Sequence, residues 1–362
     1  MTDASVSLSE HINLHIKANG PMSLSTYMRL ALTHPTQGYY RKADPLGTHG
    51  DFITAPEISQ MFGEMLGIWI VQTWQQLGAP KNFNIVELGP GRGTLMSDAL
   101  RILAQVSEIQ NCFDVRLIET NPTLIEKQKL ALKDAPVFWH SEIEELSALD
   151  GPFLILANEF FDALPIKQFQ KAKGKWHERM VGLYKEQRVW GLSPSPLPED
   201  AFPASIRDAE DNAIWESSFA SQQVAKEIGE LLNAKGGAML AIDYGYGKTQ
   251  TGETLQALKS HKHVDALAEP GDADITAHVD FEALTKATKT SIGKLMTQGD
   301  FLRAMGIQQR AHALASATPA AAQKIATDLA RLVDAEQMGD LFKVSCCYAG
   351  NVVPYPFEAQ NG

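Results

Sequence analysis

Apolar residues fall at helical intervals over Ser9 to Lys17 and again over Ser23 to Leu32, the second run opened by a cap signal at Ser23 or Ser25. These predict a helical N-terminal region. A third stripe, Ile58, Met61, Phe62, Met65, Leu66 and Trp69, predicts a helix with Pro56 at its first position and Thr54 or Ala55 as its cap. Further on, short apolar runs alternate with amphipathic stretches. Asn84 to Leu88, Phe113 to Ile118, Val137 to Trp139, the continuous run Phe153 to Ala157, and Ala238 to Ile242 read as strands. Leu95 to Ala104, a segment opened by Asn121-Pro122, and Phe219 to Leu232 read as helices. Such alternation predicts a mainly parallel sheet covered on both faces. Phe169 to Trp190 instead carries strand-like alternation with Trp176, Tyr184 and Trp190. It exits through the proline-punctuated stretch Ser193 to Pro198, as expected of a β-rich insertion. Thr249 to Asp280 reads as a lid-like loop whose end, Thr276 or Asp280, caps a helix over Phe281 to Ala287. A strand over Thr290 to Leu295, helices over Asp300 to Met305 and Gln323 to Leu332, and a strand over Phe342 to Tyr348 follow. Ala315 to Ala322 is an alanine-rich approach to a helix.

At 362 residues the chain suits a core with a substantial second lobe. Six segments are expected: a helical region with a covering loop (1–80), the first part of the core (81–168), an inserted lobe (169–217), the fifth strand (218–248), the lid-like insertion (249–287) and the C-terminal core (288–362). Charged residues make up 21% and hydrophobic ones 44%, as in soluble globular proteins. Asp and Glu total 43 against 32 Lys and Arg, a net charge of −11 that disfavours a nucleic-acid partner and suits a basic protein one. Without a membrane-length apolar run or a secretion signal, the expected compartment is the cytoplasm, with no membrane insertion. Cys112, Cys346 and Cys347 show no metal-ligand spacing and read as reduced packing residues.

The candidate chemistry centres on Glu87-Leu88-Gly89-Pro90-Gly91-Arg92-Gly93-Thr94. Three glycines at alternate positions let the backbone turn tightly against a ligand, and the following helix aims free N–H groups at the same place. A dinucleotide loop needs glycine at position 94, where Thr stands. Glu87 adds a carboxylate suited to a cation, and the acidic-x-Gly-x-Gly-x-Gly pattern is similar to the first motif of class I methyltransferases, which bind S-adenosylmethionine. Glu119, at the end of the second strand, is placed for ribose hydroxyls. Ser141 and Glu142 follow the third strand, where Glu142 covers the adenine or Ser141 merely caps a helix; both readings stand at this point. Asn158, Glu159 and Asp162 follow the central strand. His261, His263 and His278, interspersed with Asp265, Asp272, Asp274 and Asp280, match no metal-ligand frame, so no metal is expected.

The run Gly50-Asp51-Phe52-Ile53-Thr54-Ala55-Pro56-Glu57, the glycine loop, Asn158-Glu159-Phe160-Phe161-Asp162-Ala163-Leu164-Pro165, His263-Val264-Asp265 and Asp274 to Phe281 together resemble the MidA family. The resemblance covers nearly the whole chain. It implies a class I methyltransferase Rossmann-like α/β sheet ending in an antiparallel strand, a helical N-terminal region and a β-rich inserted lobe. Its mitochondrial members help to assemble respiratory complex I, and one methylates an arginine of a complex I subunit. For this chain it implies S-adenosylmethionine as cofactor, held by Thr54, Glu87, Gly89, Gly91, Gly93, Glu119, Ser141, Glu142 and Asn158. The substrate it implies is a protein arginine, for which a complex I subunit is the family's precedent; its guanidinium is a permanent cation that calls for carboxylates. Glu57, Glu159 and Asp162 are the expected catalytic acids, with His278 and Asp51 behind them. An NAD(P)-dependent oxidoreductase and a non-catalytic assembly factor are the alternatives.

Overall fold

The computed structural model describes residues 6–41, 54–350 and 352–359. In chain order they begin with α1 (Leu8–Asn19), β1 (Met22–Ser23), α2 (Leu24–Thr33), α3 (Ala55–Ile58), α4 (Gln60–Gln76), β2 (Phe83–Leu88), α5 (Thr94–Leu103), β3 (Phe113–Ile118), α6 (Pro122–Ala131), β4 (Val137–His140) and β5 (Phe153–Asn158). Then come β6 (Lys167–Ala172), β7 (Lys175–Tyr184), β8 (Gln187–Leu192), β9 (Ile214–Ser217), α7 (Phe219–Lys235), β10 (Gly237–Tyr246), β11 (Gln256–Lys259), β12 (Lys262–Val264), β13 (Asp274–Thr276) and β14 (Val279–Asp280). The chain closes with α8 (Phe281–Thr288), β15 (Ser291–Ile292), β16 (Met296–Thr297), α9 (Gln298–Ala304), α10 (Ile307–Ala317), α11 (Ala322–Val333) and β17 (Phe342–Ala349). It divides into two compact units, one built from Met1–Phe52, Asp162–Gln223 and Tyr246–Ala283, the other from Ile53–Phe161, Val224–Gly245 and Leu284–Gly362.

The second unit, here the sheet unit, carries the strand order β15-β17-β10-β5-β2-β3-β4. Strands β10, β5, β2, β3 and β4 run parallel, and β17 runs antiparallel to β10 from Gly237↔Ala349 to Tyr244↔Phe342. This is the expected class I arrangement, its last strand reversed. β5 sits between β10 and β2, which explains why its sequence is apolar without alternation. Helix α4 is buried nearly all round, with Met61, Phe62 and Trp69 each at 0% exposure, worth roughly 1.5–3 kcal/mol apiece. It lies close to α5 because a Cβ on Gly63 would stand 2.6 Å from Asp98 Cβ, and one on Gly67 2.7 Å from the Ala99 carbonyl oxygen.

Two expectations for this unit differ from the structure, and one helix adds to them. The helix expected to run on from Pro56 breaks at Ser59, whose extended backbone ends α3 and whose hydroxyl accepts from the Met61 amide to start α4. The strand expected over Thr290 to Leu295 pairs in register with β17 at Ser291 and Ile292, with one further bond from the Gly293 amide to the Cys346 carbonyl. Beyond them Gly293 is packed against Phe357 and the Lys294 amide donates to the Glu358 carbonyl, so the C-terminal segment takes over the pairing. Helix α10 was not anticipated at all: its buried residues are Ile307 and Ala311, too few for a periodic signal.

In the first unit, here the insert unit, α1 and α2 appear as expected, Ser23 rather than Ser25 accepting from the Thr26 amide. The insertion is a sheet in the order β1-β7-β6-β9, with β8 beside β7. Trp176 is core, against Phe202, and Phe169 stacks on Trp215. The stretch read as a loop over Thr249 to Asp280 contains a three-stranded antiparallel sheet, β12-β11-β13. Its hairpin turn, Ser260-His261, has φ of 51° and 60°, the torsions of a primed turn, without the Asn-Gly signal that would have disclosed it. Asp280, not Thr276, caps α8, its carboxylate accepting from the Ala283 amide. Among the described residues no helix is long and apolar enough to cross a membrane.

Candidate functional site

In the sheet unit the predicted residues collect where the parallel strands end, the edge at which open α/β sheets bind ligands. The loop after β2 has Gly89, Gly91 and Gly93 at φ of 58°, 54° and 83°, a left-handed region that costs other residues. A Cβ at Gly89 would come within 3.0 Å of the Phe160 ring. Gly93 is the residue before the first turn of α5 and offers no side chain to its amides, which suits a ligand there.

Glu87 lies in β2, 3% exposed, and its Oε2 is buried with no hydrogen-bond partner among the described residues. Burial alone pushes its carboxyl up to about 8. A carboxyl held neutral in this way ionises once a cation arrives. Glu119, directly after β3, is held by its surroundings: Oε1 accepts from the Thr120 and Asn121 amides at 2.8 and 2.7 Å, and Oε2 from Gln128 Nε2 at 3.2 Å. Asn158, the last residue of β5, donates through Nδ2 to Glu159, and its own Oδ1 is buried and unpartnered among the described residues. The orphaned buried acceptors, Glu87 Oε2 and Asn158 Oδ1, stand beside a glycine cradle and fit a ligand that brings its own donors, such as an ammonium for Glu87.

Glu159 has φ of 48°, a strained torsion for a residue with a side chain and one that clusters at functional sites. Its Oε1 accepts from the Ala55 amide at 3.1 Å, so it fixes the start of α3, capped at Thr54 without a side-chain bond. Glu57, on the same short helix, accepts from the Thr94 hydroxyl at 2.7 Å, and Arg92 Nη1 stands 3.9 Å from its other oxygen. The structure therefore links Glu57, Thr54, Glu159, Asn158 and the glycine loop into one set. Thr94, which reads in the sequence only as a departure from a dinucleotide loop, has a positive use in that set.

Ser141 and Glu142 lie exposed after β4. The expectation that Ser141 caps the next helix is corrected: the Glu145 carboxylate accepts from both the Ser141 and Glu142 amides and closes that turn. Asp162 and His278 belong to the insert unit. Asp162 is buried and its carbonyl accepts from the Ala277 amide. The His278 amide donates to Thr254 Oγ1, and Thr254 donates in turn to the buried Glu216; burial lowers the His278 pKa. Asp51 lies outside the described residues.

Sequence reasoning missed Gln128 and Asp243. Asp243 is fully buried within β10, three residues before its end, its Oδ2 accepting from the Phe161 amide. Gln128 shares with Leu124 the buried stripe of α6, and a polar residue on an apolar stripe was the available signal.

Comparison with known proteins matches residues 65–299 to a family described as S-adenosyl-L-methionine-dependent methyltransferases. The mitochondrial protein arginine methyltransferase NDUFAF7 of Xenopus tropicalis is 35% identical over 93% of this chain and 84% of its own. The human protein of that name is 35% identical over 92% of this chain and 81% of its own. A Burkholderia thailandensis protein crystallised with S-adenosyl-homocysteine superposes with a TM-score of 0.83 at 25% identity, covering 95% of this chain and 92% of that one. The mitochondrial label of the two arginine methyltransferases overturns the expectation of a cytoplasmic protein. That expectation rested on a missing secretion signal and a missing apolar span, features that do not distinguish one aqueous compartment from another.

Proposed function

We propose, from the premise that this chain belongs to the family of S-adenosyl-L-methionine-dependent methyltransferases, that it methylates a guanidinium nitrogen of an arginine in a protein substrate. The cofactor supplies a methyl group already activated on a sulfonium. The chain's own task is to place that cofactor, hold the guanidinium and take up a proton. Glu87 pairs with the cofactor's ammonium, Glu119 accepts from its ribose hydroxyls, and Gly89, Gly91 and Gly93 let the backbone approach. Thr54 and Asn158 complete the cradle, with Ser141 and Glu142 beside the adenine. Glu57 and Glu159 pair with the guanidinium and leave one nitrogen electron-rich, while Asp162 and His278 are further candidates for substrate contact and proton removal.

The observation that carries the arginine reading is the coupling of Glu57 and Glu159 through one four-residue helix, Glu159 binding its first amide and Glu57 projecting from its first turn. It accords with the arginine methyltransferase names of the curated relatives. The inserted lobe, residues 169–217, is the segment proposed to receive the substrate, its Tyr184 being 63% exposed. A respiratory complex I subunit is the substrate that the family resemblance suggests.

The test uses Glu159→Gln, which keeps an acceptor for the Ala55 amide. It should bind S-adenosylmethionine nearly as tightly as the native protein while methylarginine, read by mass spectrometry on a basic substrate, disappears. Turnover at the native rate would remove Glu159 from the mechanism.

A further inference from the structure

We propose that Gln128 is a positioning residue of the cofactor site, locking the glycine loop and the ribose-binding acid into one fixed geometry before the ligand arrives. Its side chain is 0% exposed. A primary amide so placed is costly unless it finds partners, and those it finds lie on three separate segments. Nε2 donates to the Gly91 carbonyl at 2.8 Å, inside the glycine loop after β2. The same nitrogen donates to Glu119 Oε2 at 3.2 Å, after β3. Oε1 accepts from Trp139 Nε1 at 2.8 Å, on β4.

The partners also fix which way the amide faces. Trp139 can only donate, whereas the Gly91 carbonyl and the Glu119 carboxylate can only accept, so a flipped amide would set oxygen against two oxygens and nitrogen against an N–H. The backbone agrees with this reading. A Cβ at Gly93 would stand 3.5 Å from Gln128 Cα and 3.6 Å from its Cγ, so the loop rests directly on this residue. Glu119 thereby has both oxygens oriented in advance, one by the Thr120 and Asn121 amides and one by Gln128. A preorganised carboxylate binds ribose without the entropy cost of being ordered.

The proposal rests on the assignment of Gly91 and Glu119 to the cofactor, and Gly91→Val tests that assignment separately. Calorimetric titration with S-adenosyl-homocysteine is run on native protein, Gly91→Val, the near-isosteric Gln128→Met, and Gln128→Glu, alongside melting of the ligand-free proteins. Gln128→Met should melt as a folded protein and bind roughly 10–100-fold more weakly, with KM for the cofactor raised and kcat little changed. In Gln128→Glu the new carboxylate faces Glu119, so its deficit relative to native protein should shrink as pH falls and the added group gains a proton able to donate. A purely structural role would produce no such pH-dependent ratio. Native affinity in Gln128→Met, with Gly91→Val inactive in binding, overturns the proposal alone; native affinity in Gly91→Val removes the assignment beneath it. Should Gln128→Met fail to fold, Trp139→Phe decides: a several-fold loss of affinity in a folded protein sustains the proposal, and unchanged affinity overturns it.

Discussion

At the scale of single residues, Glu87 links stability and ligand binding through one proton. Burial raises its carboxyl from an ordinary 4.5 to about 8, so between those values the folded protein holds a proton that the unfolded chain has lost. Its contribution to stability is therefore intact below about pH 4.5 and is lost as pH rises through about 8. Glu87→Gln removes this penalty, and the ligand-free variant should melt above the native protein at pH 8–9 while matching it at pH 4. The same substitution should weaken S-adenosylmethionine binding by tenfold or more, by about the worth of a buried charged hydrogen bond. In the native protein the incoming ammonium favours the ionised carboxyl, so binding at pH 7 should release up to about one proton. Titration calorimetry in two buffers of different ionisation enthalpy measures that release directly. Equal heats in both buffers would mean that Glu87 is not the ammonium's partner.

Among the elements, the contact of α4 with α5 and α10 governs how firmly the sheet unit holds its cofactor loop, because α5 begins where that loop ends. Gly63 and Gly67 leave no room for a Cβ against Asp98 and Ala99. Gly67→Ala must push the two helices apart and should cost about 1–3 kcal/mol in denaturant unfolding. The buried Glu64 carboxylate, at 0% exposure, is gripped bidentately by Arg310 of α10, with two contacts of 2.7 Å, and approached by Arg101 of α5 at 3.3 Å. Glu64→Ala removes that carboxylate while Arg310 and Arg101, each about a third or more exposed, can turn to water and Arg101 keeps Asp98, so it should cost about 1–3 kcal/mol. A variant within about 0.5 kcal/mol of native would show that the cluster is effectively solvated. This bond also explains α10, whose weak periodicity concealed it: the helix is secured by an ion pair as well as by an apolar face.

For the molecule as a whole, a net charge of −11 favours basic segments of a protein substrate at long range. Raising ionic strength should therefore lower kcat/KM for a basic arginine peptide while leaving kcat nearly constant; a rate indifferent to salt would confine recognition to short-range contacts. The sequence by itself determined the strand and helix alternation, the antiparallel final strand through its family resemblance, the glycine loop, and Glu87 and Glu119 as strand-end acids. It could do so because periodicity and backbone torsion are written within a few neighbouring residues. Glu57 and Glu159 were legible as acids in motifs, but not as two ends of one coupling. Only the tertiary structure decided that Thr94 serves Glu57 across 37 positions and that Arg310 reaches Glu64 across 246. It also decided that Gln128 joins three segments and that the insertion and the N-terminal helices belong to one compact unit. A buried polar group is defined by whichever partners packing delivers to it, and no local pattern along the chain records those partners.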